Sequence, residues 1–155
     1  MSERISWDQY FMEIAKTASK RASCFRGKKV GAVLVKERQI LSTGYNGAPK
    51  GVKNCLDLGN CLREQKKLPS GERLEVCRAT HAEQNAVAQA AYQGASSKGA
   101  SLYTTHFPCV LCAKLLINAG IREIVFLEDE KDGQSRAILD EAGVRVRRLN
   151  GFIAL

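Results

Sequence analysis

The sequence predicts an α/β domain in which helices pack on the faces of a sheet, and two observations carry that expectation. Strand-like runs alternate with helix-like runs along the chain, in the order α-β-β-α-β-α-β-α-β. Glycines fall where helices should stop, and no repeat, low-complexity tract or linker breaks the series, so residues 1–155 read as one domain.

Taken in order, Trp7, Tyr10, Phe11, Ile14, Ala15 and Ala18 recur at helical spacing, which predicts an amphipathic helix over residues 7–23. Residues 30–36 and 39–43 are rich in β-formers, and the short Glu37-Arg38 break between them predicts a hairpin. The run from Gly44 to Gly51 is turn chemistry, because its glycines and proline disfavour regular structure. Residues 52–78 show no period and hold three cysteines. Thr80 can cap a helix over residues 81–93, which Gly94 would end. Residues 100–105 form the third predicted strand. Pro108 suits the first turn of a helix reaching Asn118, with Gly120 as its stop. A strand at 123–127, a helix at 134–142 and a strand at 144–149 complete the series.

Composition narrows the classes of function. No apolar stretch is long enough to span a membrane, and the first seven residues lack a signal-peptide pattern, so a cytoplasmic protein is expected. Six cysteines in that setting suit metal binding better than a disulfide framework. The net charge of +8 is open to three readings: a polyanion partner, a solvated basic face, or a pocket for a phosphorylated substrate.

The most informative residues are His81-Ala82-Glu83 and, downstream, Pro108-Cys109-Val110-Leu111-Cys112. Either half alone is weak. His-x-Glu arises by chance on many helices, and Cys-x-x-Cys also serves redox pairs and structural zinc sites. Together they read as three zinc ligands, His81, Cys109 and Cys112, with Glu83 left free to move protons. Both halves fall at predicted helix starts, where free N–H groups and the helix dipole favour thiolates. Cysteines three apart share one helix face and can close on a single ion. Three protein ligands leave the fourth tetrahedral position open to water, as in catalytic rather than structural sites.

On these residues the chain resembles the deoxycytidylate (dCMP) deaminases and the related late-competence proteins of bacteria. The resemblance runs from Ile5 to Val146. It is carried by Ser23-Cys24-Phe25-Arg26, Val30 to Val33, Thr43 to Pro49 with Gly51, Cys77 to Ala86, Tyr103-Thr104-Thr105, Pro108 to Lys114, and Asn118 to Ile121. It implies a cytidine-deaminase-like three-layer α/β/α sandwich with a five-stranded mixed sheet. It also implies hydrolytic, zinc-dependent conversion of dCMP to dUMP with release of ammonia, supplying thymidylate synthesis, with Glu83 as the proton shuttle. Asn46 matches the loop residue that holds the sugar, while the backbone of Ala82 and the carbonyl of Thr105 would hold the pyrimidine. By itself Asn46 is equally a turn former, since Asn-Gly favours turns. The resemblance further implies a homo-oligomer, commonly a hexamer, with dCTP and dTTP as effectors.

The four remaining cysteines, Cys24, Cys55, Cys61 and Cys77, match a region where some family members bind a second, structural zinc. Such an ion would pin the 52–78 segment; the alternative is small core residues or free thiols. Family members often place a tyrosine after the fourth strand to meet the substrate phosphate. Here that stretch is Leu127 to Gly133, with no tyrosine beyond Tyr103, and its acidic run would repel a phosphate unless it points away or Lys131 turns inward. Arg26, Lys28, Lys50 and Lys53 are phosphate candidates, each equally an ordinary surface charge. His106 is placed to touch a ligand, or to lie in an exposed loop.

Other substrates of the same fold, such as deoxycytidine or dCTP, remain open. A tRNA adenosine deaminase would usually carry glutamate where this chain has Phe107. A zinc-stabilised DNA-uptake or nucleic-acid-binding role has no need of Glu83 beside an open metal position, so nucleic acid is not the expected partner.

Overall fold

The computed structural model describes residues 4–25 and 28–155. Its sheet has five strands in the order β2-β1-β3-β4-β5, namely β1 (Gly31–Lys36), β2 (Gln39–Tyr45), β3 (Ser101–His106), β4 (Glu123–Glu128) and β5 (Arg145–Arg148). β1 runs antiparallel to both β2 and β3, whereas β3, β4 and β5 are mutually parallel, so the sheet is mixed. Glu37 and Arg38 both adopt positive φ, at 51° and 62°, which gives the tight two-residue turn that suits the twist of a hairpin.

Alternation along the central strands divides the core into two layers. Val33, Val35, Tyr103, Val125 and Leu127 face α1 (Trp7–Ser19), meeting its Phe11, Met12 and Ala15. Ala32, Leu34, Leu102, Ile124 and Phe126 face the other way, toward α4 (Ala82–Tyr92), α5 (Val110–Asn118) and α6 (Gly133–Glu141). The result is three layers, with one helix on one face and three on the other. Ser6 starts α1 by accepting the Gln9 N–H at 3.1 Å. Beside the α1 layer, Arg147 pairs in bidentate fashion with Asp8 at 2.7 and 2.8 Å and also reaches Glu123 at 3.0 Å. Tyr103 donates its hydroxyl to Asp8 at 2.8 Å.

Two boundaries differ from the sequence expectation. His81 is the capping residue of α4, not Thr80, because the Thr80 main chain is consumed by a bridge to Gly47, with N–H···O distances of 2.8 and 3.2 Å. Pro108 likewise lies just outside its helix, which Cys109 caps. Residues 52–78 hold α2 (Cys55–Leu58), α3 (Leu62–Gln65) and one 3-10 turn, each too short to show a period. Among the described residues no helix is long and apolar enough to cross a membrane.

Candidate metal centre

Two helices begin at the same place. Ala82, Ala86 and Ala90 recur every fourth residue and are at most 1% exposed, so α4 lies close on the sheet through a stripe without bulky side chains. Gly44 permits the approach: a Cβ there would fall 2.1 Å from the Ala82 carbonyl oxygen and 2.5 Å from the Ala86 nitrogen. Ser42 donates to the Ala86 carbonyl at 2.6 Å, and Asn85 donates to the Tyr45 carbonyl at 2.7 Å, tying the strand and its loop to the helix start. The His81 N–H donates to the Gln84 side chain at 3.0 Å, which closes the first turn.

α5 brings its own first turn against that of α4. His81 Nδ1 lies 3.5 Å from Cys109 Sγ and 3.3 Å from Cys112 Sγ, and the three ligand atoms all fall within 4.8 Å of one another. Donors on one tetrahedral zinc, with Zn–N and Zn–S bonds of roughly 2.0 and 2.3 Å, stand about 3.5 Å apart, so this trio fits a single ion. No other group of three such residues meets that spacing among the described residues. The Glu83 carboxylate is only 4% exposed and accepts from Cys112 Sγ at 3.6 Å. Burial pushes the Glu83 carboxyl above its usual range. A hydrogen bond from Cys112 holds the Cys109 thiol low, and Cys112 is pushed up in return. The contact with Cys109 raises His81.

The surrounding loops place the other expected residues. Ala82 is the first residue of α4, so its N–H belongs to the free amides of the helix start. Thr105 is buried; its hydroxyl accepts the Gly31 N–H at 3.1 Å and lies 2.9 Å from His106 Nδ1. His106 is half-buried, and desolvation lowers its pKa. Asn46 accepts the Val30 N–H and donates to the Lys28 carbonyl, both at 2.8 Å, so its amide holds the strand entering β1. That is turn chemistry in action; a second lone pair and a second N–H remain on the amide.

The phosphate candidates scatter. Arg26 lies outside the described residues. Lys28 pairs with Glu130 near His106. Lys50 sits over the ring of Tyr92, 5.6 Å from its centroid, at the end of α4 away from His81, about 15 Å along the helix axis. Lys53 offers its carbonyl to Arg78 at 3.2 Å. Within the acidic run Glu130 pairs with Lys28 and Asp129 with Arg136, and just beyond it Asp132 accepts main-chain N–H groups. Cys24, Cys55, Cys61 and Cys77 do not bring three sulfurs within 4.8 Å. They do converge, since burial and then the charges of Cys61, Cys77 and Cys24 push the Cys55 thiol up.

Residues 5–128 match the model of the cytidine and deoxycytidylate deaminase zinc-binding region. The chain belongs to that family. A deoxycytidylate deaminase of Schizosaccharomyces pombe is 38% identical over 94% of this chain and 44% of its own length. The ComE operon protein 2 of Bacillus subtilis is 36% identical over 95% of this chain and 73% of its own. The chain thus spans less than half of the fission-yeast relative. Among solved structures, the dCMP deaminase of cyanophage S-TIM5 in complex with dCMP and dUMP superposes with a TM-score of 0.78 at 28% identity, over 96% of this chain and all of that one. The five-stranded mixed sheet between helical layers is therefore the cytidine-deaminase-like fold, and the His81, Cys109 and Cys112 group lies within the zinc-binding region.

Sequence reasoning missed four residues that shape the centre: Gln84, Asn85, Asp132 and Ser135. The first two lie in the quoted run from Cys77 to Ala86, and Gln three residues after a helix cap is a recognisable signal. Asp132 two residues before a predicted helix also reads as a cap, but its reach to α5 is a tertiary fact.

Proposed function

We propose that this protein is a single-domain enzyme of the cytoplasm that deaminates dCMP hydrolytically to dUMP, releasing ammonia and supplying thymidylate synthesis. The observation that carries this reading is the buried Glu83 carboxylate beside three ligand atoms spaced for one zinc. The likeness to the dCMP- and dUMP-bound phage enzyme supports the choice of nucleotide.

His81, Cys109 and Cys112 would hold the ion. Zinc bound there supplies Lewis-acid activation of a water at the position the three residues leave open. Glu83 would take one proton from the attacking water and deliver it to the ring nitrogen, then take the second proton of the same oxygen and deliver it to the amino group, which leaves as ammonia. The Ala82 N–H and the Thr105 carbonyl bind the pyrimidine edge, and Asn46 uses its remaining capacity on the sugar. For the phosphate this reading takes Lys28, which pairs with Glu130 near His106 at the end of β3.

The same reading includes a structural zinc at Cys24, Cys55, Cys61 and Cys77, supported by the convergence of their charges on Cys55. It also includes a homo-oligomer, a hexamer by family likeness, with dCTP and dTTP as effectors. The test is ammonia release from dCMP, deoxycytidine, dCTP and single-stranded DNA by zinc-loaded protein, with and without dCTP and dTTP. Preferential turnover of dCMP is expected. No turnover of any free nucleotide overturns the reading.

A further inference from the structure

The segment Phe107–Val110 carries a metal ligand, yet it belongs to no helix or strand until Val110. Such a segment should be loose, but every part of it is held. The Phe107 N–H donates to the Glu128 carbonyl at 2.9 Å. Its ring packs edge-on against Phe126, with centroids 5.2 Å apart, and under the Arg136 guanidinium at 4.1 Å. The Pro108 carbonyl accepts the Ser135 hydroxyl at 2.8 Å, and Ser135 is completely buried. The Val110 N–H, the first amide of α5, donates to Asp132 Oδ2 at 2.9 Å. The other Asp132 oxygen caps α6 by accepting the Ser135 N–H, also at 2.9 Å.

One carboxylate therefore joins the starts of two helices, and Cys109 is the residue between its two neighbours' anchors. A proline carbonyl cannot be satisfied by a helix that has not yet begun, and a first-turn N–H has no intrahelical acceptor. Both groups are matched by side chains from one place, the first turn of α6. Arg136 adds a third hold on the same segment and is itself fixed by Asp129.

We propose that Asp132 and Ser135 are positioning residues of the metal centre: together they clamp Pro108 and Val110 so that Cys109 presents its sulfur to His81 and Cys112. This rests on the zinc reading of the site but not on the choice of substrate. Removing partners that orient metal ligands typically costs about 10- to 100-fold in metal affinity or activity. The clamp acts on geometry, so it should change the metal's hold and the chemical step more than nucleotide binding.

The experiment follows zinc release to an excess of chelator from the full-length protein, for Asp132→Ala, Ser135→Ala and the core truncation Leu139→Val on the same helix. Release should speed up about 10- to 100-fold in the first two variants, and in Leu139→Val it should stay near the parent rate. Cobalt-loaded Asp132→Ala and Ser135→Ala should show shifted visible absorption, and kcat should fall while KM holds. If Asp132→Ala does not fold, Asp132→Asn, which keeps one carbonyl oxygen, replaces it and should fall between parent and Ser135→Ala. Release within twofold of the parent, or release raised equally by Leu139→Val, overturns the inference. A parent protein that binds no zinc overturns it together with the site. A zinc-holding parent inert toward dCMP, with fast-releasing clamp variants, upholds it and overturns only the substrate reading.

Discussion

Cys109 and Cys112 sit at the start of a nine-residue helix packed on a sheet, with both sulfurs within 3.5 Å of His81 Nδ1. Cys55, Cys61 and Cys77 are spread over chain that builds only four-residue helices and a 3-10 turn, Cys24 lies between α1 and β1, and the four converge without meeting. The difference lies in what supplies the order. At the first site the helix starts, the alanine stripe of α4 and the hydrogen bonds from α6 hold the donors in place. Around Cys55 the backbone has few long-range constraints, and an ion would have to supply much of the order itself. A preorganised site can spend its metal on chemistry, whereas a loop site spends it on folding.

The largest expected effect breaks the first site. Cys112→Ser should remove the ion held with His81 and abolish turnover, while the fold, carried by the two core layers, persists by circular dichroism. Retention of full activity would remove Cys112 from the ligand set. Next, Cys61→Ser should lower zinc content by one ion per chain, expose residues 52–78 to proteolysis and leave turnover of dCMP near the parent value. Unchanged zinc content in that variant would leave the four cysteines as ordinary thiols and make the contrast sharper still.

The smallest effect involves neither set of thiols. Arg147 holds the Asp8 carboxyl below its usual range, chiefly by hydrogen bonding, so folding gains stability from this pair at a pH above the unfolded value of about 3.9. That gain is lost as pH falls through the lower folded-state pKa. Asp8→Asn should therefore cost about 1 kcal/mol at pH 7, as suits a partly exposed bidentate pair, with no change in zinc content. The penalty should shrink toward zero in denaturant melts taken below pH 4. A penalty constant with pH would show that the hydrogen bond from Tyr103, rather than the charge, is what matters.

Much of this architecture is legible in the sequence because its signals are local. The alternation through Val33, Val35, Tyr103 and Val125 marks strands, and Gly94 and Gly120 mark helix ends with positive φ. The ligands His81, Cys109 and Cys112 with Glu83 are legible because two helix starts need few residues to state their chemistry. What escaped depends on pairings across the fold. The acidic stretch at 128–130 reads as a repulsive block until Lys28, over a hundred residues distant in sequence, pairs with Glu130. Asp132 looks like a simple cap, and nothing near it in sequence announces the Val110 amide. Thr80 looks like the better cap, yet its main chain is already used by Gly47. Within residues 52–78, α2 is set by capping, through the reciprocal Asn54 and Asp57 bonds at 3.0 Å, rather than by any period.

The central claim is that Glu83 moves the protons of a zinc-assisted deamination while the three neighbouring residues hold the metal. The most direct measurement is ammonia release from dCMP by zinc-loaded Glu83→Gln, made beside its zinc content. Zinc should stay at the parent level while kcat falls by about 10²- to 10⁴-fold. Turnover at the parent rate with zinc in place would contradict the role given to Glu83.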